Sequence, residues 1–256
     1  MDRFNNYVNI DLDAIYHNFQ AISEKAGVTV MAVVKADAYG HGAVQVASVL
    51  QQLGADYLAV SSLDEARELR TTGITMPILL LGHTPADQVG HLIENHITQA
   101  VSCESKALEY EAEAAKLGQK LRVHIKLDTG MSRVGFFYHD EQADAAVIDT
   151  VARVCALEHL VAQGIFTHFA CADEESGEAI TRRQYALFLR AVDLLETMPE
   201  TINAKKILLT GNSGGGTATY YAACIEPRIT MAVPSSSICS FKNSIVWKRH
   251  CPCNYI

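Results

Sequence analysis

No apolar run in this 256-residue chain approaches the roughly 20 residues that a membrane-spanning helix needs; Val28 to Val34 and Ile78 to Leu81 are typical of its apolar stretches. The opening Met1-Asp2-Arg3-Phe4-Asn5-Asn6 carries no signal peptide, so a soluble, cytoplasmic protein without a membrane partner is expected. Excess positive charge is also missing. Twenty-one Lys and Arg stand against 29 Asp and Glu, a net −8 with His neutral, which argues against a nucleic-acid partner. Seven cysteines are too sparse and irregular for a disulfide-stapled secreted scaffold. There is no low-complexity linker. What is present is 49% hydrophobic residues with only 20% charged, enough to exclude disorder and to bury a substantial core.

Short apolar runs rich in β-branched residues alternate with longer amphipathic stretches, the pattern of repeated βα units. Strands are predicted over Val28–Val34, Tyr57–Val60, Ile78–Leu81, Thr98–Val101, Arg122–Leu127, Val161–Thr167 and Lys206–Leu209. Helices are predicted between them over Ala43–Leu53, Leu63–Arg70, Ala86–Glu94, Ser105–Leu117, Glu141–Cys155 and Ala179–Met198. In the last helix Tyr185, Phe188, Leu189, Val192 and Leu195 recur at three- and four-residue steps and form one core-facing stripe. Seven such units predict an α/β fold of the TIM-type (β/α)8 barrel, with Arg228–Val233 a weak or incomplete eighth strand. Tyr7–Leu12 and Asp13–Lys25 read as a strand and helix leading in. The chain therefore divides into residues 1–25, a barrel over 26–223 and an atypical tail over 224–256. From Gly215 onward four basic residues face one acidic, and Cys224, Cys239, Cys251 and Cys253 gather near the sole tryptophan, Trp247. This end is expected to be non-native or truncated. His250 with Cys251-Pro252-Cys253 lacks the paired spacing of a zinc site, so no metal is expected.

In a parallel barrel the reactive groups stand where the strands end. The first strand exits as Val33-Val34-Lys35-Ala36-Asp37-Ala38-Tyr39-Gly40-His41-Gly42. Apolar surroundings favour the neutral, nucleophilic form of an amine, although a lysine here also suits a simple exit into solvent. The glycines at the turn favour the first reading, because they let the backbone approach a bound phosphate closely. Lys126 lies between Ile125 and Leu127, so alternation turns it to the opposite face and into the barrel, where an amine needs a partner or a modification. Arg133, on the loop that follows, is either a fork for an oxygen anion or a solvated surface residue. His168 ends the sixth strand, a position more often structural than catalytic. Thr210-Gly211-Asn212-Ser213-Gly214-Gly215-Gly216 offers free N–H groups before a helix, a natural anion site.

Residues 33–42 closely resemble the pyridoxal-phosphate attachment motif of the bacterial alanine racemase family. Lys126-Leu127-Asp128-Thr129-Gly130-Met131-Ser132-Arg133, Thr167-His168-Phe169-Ala170-Cys171-Ala172-Asp173 and Asn212-Ser213 resemble its further signatures, in the same order. The resemblance implies a barrel that binds pyridoxal 5′-phosphate, with Lys35 as the Schiff-base lysine and one catalytic base. It implies Tyr39, Asn212 and Ser213 at the phosphate, Arg133 beside the phenolic oxygen, His168 near the pyridine ring and Arg228 at the pyridine nitrogen. Lys126 is implied as a carbamylated support for Arg133. The activity implied is an isomerase, a racemase interconverting L- and D-alanine, with serine the alternative substrate. A homodimer is implied too, the partner's C-terminal β-domain supplying a tyrosine as second base. This chain is expected to lack that domain and so to be impaired, and Arg228-Ile229-Thr230 stands where the family has Arg-Pro-Gly. A non-catalytic, single-barrel pyridoxal-phosphate-binding protein is the alternative function.

Overall fold

The computed structural model describes residues 8–172, 174–198, 207–212 and 229–235, with the backbone alone for the last two segments and for Glu175. Among the described residues ten strands are formed: β1 (Thr29–Val33), β2 (Tyr57–Val60), β3 (Ile78–Leu80), β4 (Ile97–Val101), β5 (Leu121–Asp128), β6 (Phe136–Phe137), β7 (Leu160–Phe166), β8 (His168–Phe169), β9 (Ile207–Asn212) and β10 (Ile229–Ser235). All pairings are parallel, and eight strands close a ring in the order β1, β2, β3, β4, β5, β7, β9, β10 and back to β1. β6 adds to β5 and β8 to β9. The barrel is thus as expected, and its eighth strand is formed on both sides: Ser235 pairs with Asn212, and Thr29 and Val30 pair with Met231 and Ala232. The strand runs over Ile229–Ser235, two residues beyond the Arg228–Val233 expected, and so includes Pro234, which has no N–H for a ladder.

The helices are α1 (Leu12–Ala26), α2 (Lys35–Gly40, a left-handed turn), α3 (Ala43–Gln52), α4 (Leu63–Thr71), α5 (Val89–Glu94), α6 (Glu104–Leu117), α7 (Ala145–Cys155) and α8 (Glu178–Glu196). The predicted strand over Tyr7–Leu12 is not formed by residues 8–11. Asp11 instead caps α1, its Oδ1 accepting the Ala14 N–H at 3.0 Å, and Leu12 is already helical. No described strand pairs with residues 8–11.

Both faces of the ring are buried, which is why its strands read as nearly continuous apolar runs. Alternation divides the side chains between two cores. Leu58 and Val60 of β2 face the helices, where they join Ile78, Leu80, Val101 and Leu69. Tyr57 and Ala59 face inward, packing with Met31, Leu79, Ala100 and Phe166 to fill the barrel. The inner core therefore combines small Ala59 and Ala100 with large Met31 and Phe166. β7 bulges against β5 between Ala162 and Gly164, and a Cβ on Gly164 would lie 3.0 Å from the His124 ring. The α8 stripe is core as predicted, with Phe188, Val192 and Leu195 fully buried. Among the described residues, no helix is long and apolar enough to cross a membrane.

Candidate functional site

At the C-terminal ends of the strands the barrel opens into a cavity of about 280 Å³. Lys35 reaches it from the end of β1, Lys126 from β5, Arg133 from the loop after β5, and His168 from β8. Four residues named from the sequence are thus brought together, and Lys126 is buried on the inward face as its alternation requires. Tyr39 stands next to them at the rim, its ring centroid 5.8 Å from the Lys35 amine. Asn212 ends β9, with its backbone alone described; Ser213, Arg228 and the tail beyond residue 235 lie outside the described residues.

The turn after Lys35 is unusual for L-residues. Ala36, Asp37, Ala38 and Tyr39 have φ of 51°, 53°, 50° and 56°, a complete left-handed turn without a glycine. Each such residue costs about 1–2 kcal/mol, so the surroundings must hold the turn. Asp37 Oδ1 accepts the Ala43 N–H at 2.7 Å, the Gly42 N–H donates to the Asp37 carbonyl at 3.0 Å, and Glu65 Oε1 accepts the Ala36 N–H at 2.8 Å. The turn folds Tyr39 back beside Lys35.

The loop after β5 is held by one buried carboxylate. Asp128 Oδ1 accepts the N–H groups of Gly130 and Ser132 at 3.0 and 2.9 Å, and Oδ2 accepts that of Arg133 at 2.7 Å. His139 Nε2 lies 2.9 Å from Oδ1. Burial alone would raise the Asp128 carboxyl, but the bonds from Arg133, Ser132, Gly130 and His139 prevail and bring it down to about 2. Gly135, at φ 140°, then passes so close that a Cβ would sit 2.7 Å from the Asp128 nitrogen. Asp128 thereby sets where Arg133 stands. Asp128 and Glu65 are the site residues that the sequence did not single out, although Ser62-Leu63-Asp64-Glu65 has the spacing of a helix capping box.

The cavity is strongly cationic. Burial, then Arg133 and Lys35, push Lys126 down to about 8 against the opposing pull of Asp128. Burial, then Arg133, Lys126 and Lys35, lower His168 to about 3, so its imidazole is neutral at physiological pH. Lys106 also lines the cavity but pairs with Glu109 at 2.6 Å. Among the described residues, Lys35, Lys126 and Arg133 have no such counter-charge. Two cations without an ion-pair partner among the described residues, Lys126 and Arg133, beside the Lys35 amine suit a ligand that carries both anionic oxygens and an aldehyde, and a neutral imidazole can lie against an aromatic ring without adding charge. The residues therefore fit pyridoxal 5′-phosphate.

Comparison with known proteins agrees with this geometry. The family described as alanine racemase, N-terminal domain, matches residues 10–234. The chain is 38% identical over 262 residues to alanine racemase 2 of Caldanaerobacter subterraneus subsp. tengcongensis, covering 96% of this chain and 65% of that protein. It is 42% identical over 201 residues to the alanine racemase of Desulforamulus reducens, covering 78% of this chain and 53% of that one. Among solved structures, the alanine racemase of Clostridium difficile 630 in complex with cycloserine superposes with a TM-score of 0.77 at 35% identity, over 89% of this chain and 59% of that one. The alanine racemase of Bacillus anthracis with bound L-Ala-P gives 0.71 at 31% identity, over 88% and 55%. The chain thus spans between 53% and 65% of the length of these relatives.

Proposed function

The chain belongs to the alanine racemase family through its N-terminal barrel domain, and on that premise we propose that it binds pyridoxal 5′-phosphate and serves the interconversion of L- and D-alanine. The observation that carries this reading is the convergence of Lys35, Lys126, Arg133 and His168 on one cavity, the first three without an ion-pair partner among the described residues. Lys35 would hold the cofactor through its Nζ. When bound, the cofactor supplies an electron sink for the charge left as the substrate's α-proton departs.

The remaining roles belong to the chain. Lys35, whose amine stands at the cavity, would be the base that takes or returns the substrate's α-proton on one face. Arg133, its backbone fixed by Asp128, would donate to the phenolic oxygen. His168 would accompany the ring as a neutral group. By resemblance to the family, Tyr39, Asn212 and Ser213 would hold the phosphate and Arg228 would serve the pyridine nitrogen. Lys126, brought down to about 8, is about one-tenth unprotonated at pH 7. Its free amine can therefore attack carbon dioxide, forming the N–C bond and losing one proton to water. The resulting carbamate turns a cation that repels Arg133 into an anion that pairs with it. The second base, by resemblance, comes from the C-terminal β-domain of a partner subunit in a homodimer.

The test is to add pyridoxal 5′-phosphate to the purified protein and record the visible band of the lysine-bound cofactor, with Lys35→Ala as control. A band that vanishes in Lys35→Ala is the expected result, and a band that survives it refutes the assignment. Exchange of the α-hydrogen of L- and D-alanine with deuterated solvent, measured on the same samples, reads the proton transfer. A lysine-dependent band with no exchange of either enantiomer would favour the alternative, a pyridoxal-phosphate-binding barrel without catalysis.

A further inference from the structure

We propose that Glu65 is a positioning residue for Lys35: its carboxylate fastens the left-handed turn that follows the lysine to the end of β2, and so fixes where the amine stands in the cavity. The inference rests on the reading of Lys35 as the cofactor-bearing lysine.

The hydrogen bonds of Glu65 converge on the wall of the cavity. Oε1 accepts the N–H of Ala36, the first peptide after Lys35, at 2.8 Å. Oε2 accepts both the N–H and the Oγ–H of Ser61, at 2.7 and 2.8 Å, and Ser61 itself lines the cavity. The Glu65 N–H is in turn bonded to Ser62 Oγ, the cap of α4. One carboxylate therefore joins the exit of β1, the exit of β2 and the first turn of α4. In a capping box the glutamate reaches back to its own cap; here the carboxylate also serves two neighbouring strand ends.

The turn needs such a hold. Ala36, Asp37, Ala38 and Tyr39 all take positive φ without a glycine, and of the four only Asp37 is of a type that visits that state. Asp37 ties the far end of the turn to α3, and Glu65 ties the near end, one peptide from Lys35. Burial acts to raise the Glu65 carboxyl, but the bonds from Ser61, Ala36 and Ser62 outweigh it and keep the group ionised, so these are charge-assisted bonds. Glu65→Gln leaves one acceptor oxygen for two opposed N–H groups, because the amide NH2 must face one of them. The turn then loses its hold either at Ala36 or at Ser61.

The experiment compares wild type, Glu65→Gln and Glu111→Gln. Glu111 is the matched control: it accepts the His159 N–H at 2.8 Å and lies 2.9 Å from His159 Nδ1, outside the cavity. Each protein is mixed with pyridoxal, which lacks the phosphate, and with pyridoxal 5′-phosphate. The rate of the lysine band, its pH midpoint and the yield of Lys35 labelled after borohydride reduction are measured, with circular dichroism reporting the fold. Glu65→Gln should slow labelling of Lys35 roughly tenfold or more and move the pH midpoint, since a misplaced reacting group loses orientation. Glu111→Gln should leave both unchanged. Equal behaviour of the two variants overturns the proposal. Failure of wild type to form a Lys35-dependent band overturns the cofactor reading instead, so the two failures are distinct. Where Glu65→Gln does not fold, amide hydrogen exchange of wild type decides: a protected Ala36 N–H supports the hold, and exchange as fast as an open loop overturns it.

Discussion

Asp128→Asn is the substitution whose cost the structure specifies most closely. The carboxylate accepts three backbone N–H groups and contacts His139, and it is held at about 2 against an ordinary value of 3.8. That difference of nearly two pH units corresponds to about 2.5 kcal/mol at 1.36 kcal/mol per unit. The folded value is the depressed one, so the stabilisation is complete above the unfolded value and is lost as pH falls from about 5 towards 2. Asparagine keeps the shape but removes the charge and turns a donor towards a backbone N–H. Urea unfolding of wild type and Asp128→Asn should therefore differ by about 2–3 kcal/mol at pH 7, and the gap should shrink steadily below pH 5. Because Asp128 fixes the Arg133 backbone, cofactor affinity should fall in the same variant. Parallel pH curves for the two proteins, or a difference at pH 7 under about 0.5 kcal/mol, would refute the account of this loop.

Gly164→Ala places a Cβ 3.0 Å from the His124 ring inside the barrel and should lower thermal stability by about 1–3 kcal/mol; adding His124→Ala should recover part of the loss, as a thermal melt of the double variant reads. His168, lowered to about 3 by burial and by Arg133, Lys126 and Lys35, should keep its neutral imidazole signals down to at least pH 5 in an NMR titration. A midpoint near that of a free histidine, about 6.5, would contradict the cationic cavity.

The barrel was legible because burial on both strand faces writes itself as short apolar runs, and turns and amphipathic helices punctuate them. Tyr57–Val60 was predicted to the residue. Lys126 was placed by alternation alone, since only the inward face of β5 was left for it. Elements decided by distant contacts were not legible. Ala36 to Tyr39 contain no glycine, so local chemistry argues against a left-handed turn, and the carboxylate that bonds Ala36 comes from a residue 29 positions away. Asp128 lay inside a motif already noted, yet its three N–H bonds depend on how the loop folds. Residues 8–11 have an apolar and polar alternation suited to a strand, but a strand exists only with a neighbour, and the ring closes on itself through β10. His168 was ambiguous as a lone histidine at a strand end, and only its neighbours Arg133, Lys126 and Lys35 show that it is kept neutral.

Lys126 shows what the cavity costs the fold. Its amine is buried next to Arg133 and Lys35 and is brought from 10.5 down to about 8. In the folded state the protonated form is therefore penalised by nearly two and a half pH units, or about 3 kcal/mol. The sign follows from proton binding: between pH 8 and 10.5 the unfolded chain holds more protons, so stability rises with pH across that window and is flat below it. Lys126→Met keeps the length of the side chain and removes the charge. At pH 7 the variant should be more stable than wild type by about 1–3 kcal/mol, and the advantage should vanish near pH 10.5. Bicarbonate at pH 7 should stabilise wild type and leave Lys126→Met unmoved, because the carbamate supplies Arg133 with the anion it lacks. Denaturant unfolding at the two pH values, with and without bicarbonate, reads all of this. A Lys126→Met protein less stable than wild type at pH 7 would mean that the amine already has its partner, and that the barrel interior is not held cationic at the expense of its own stability.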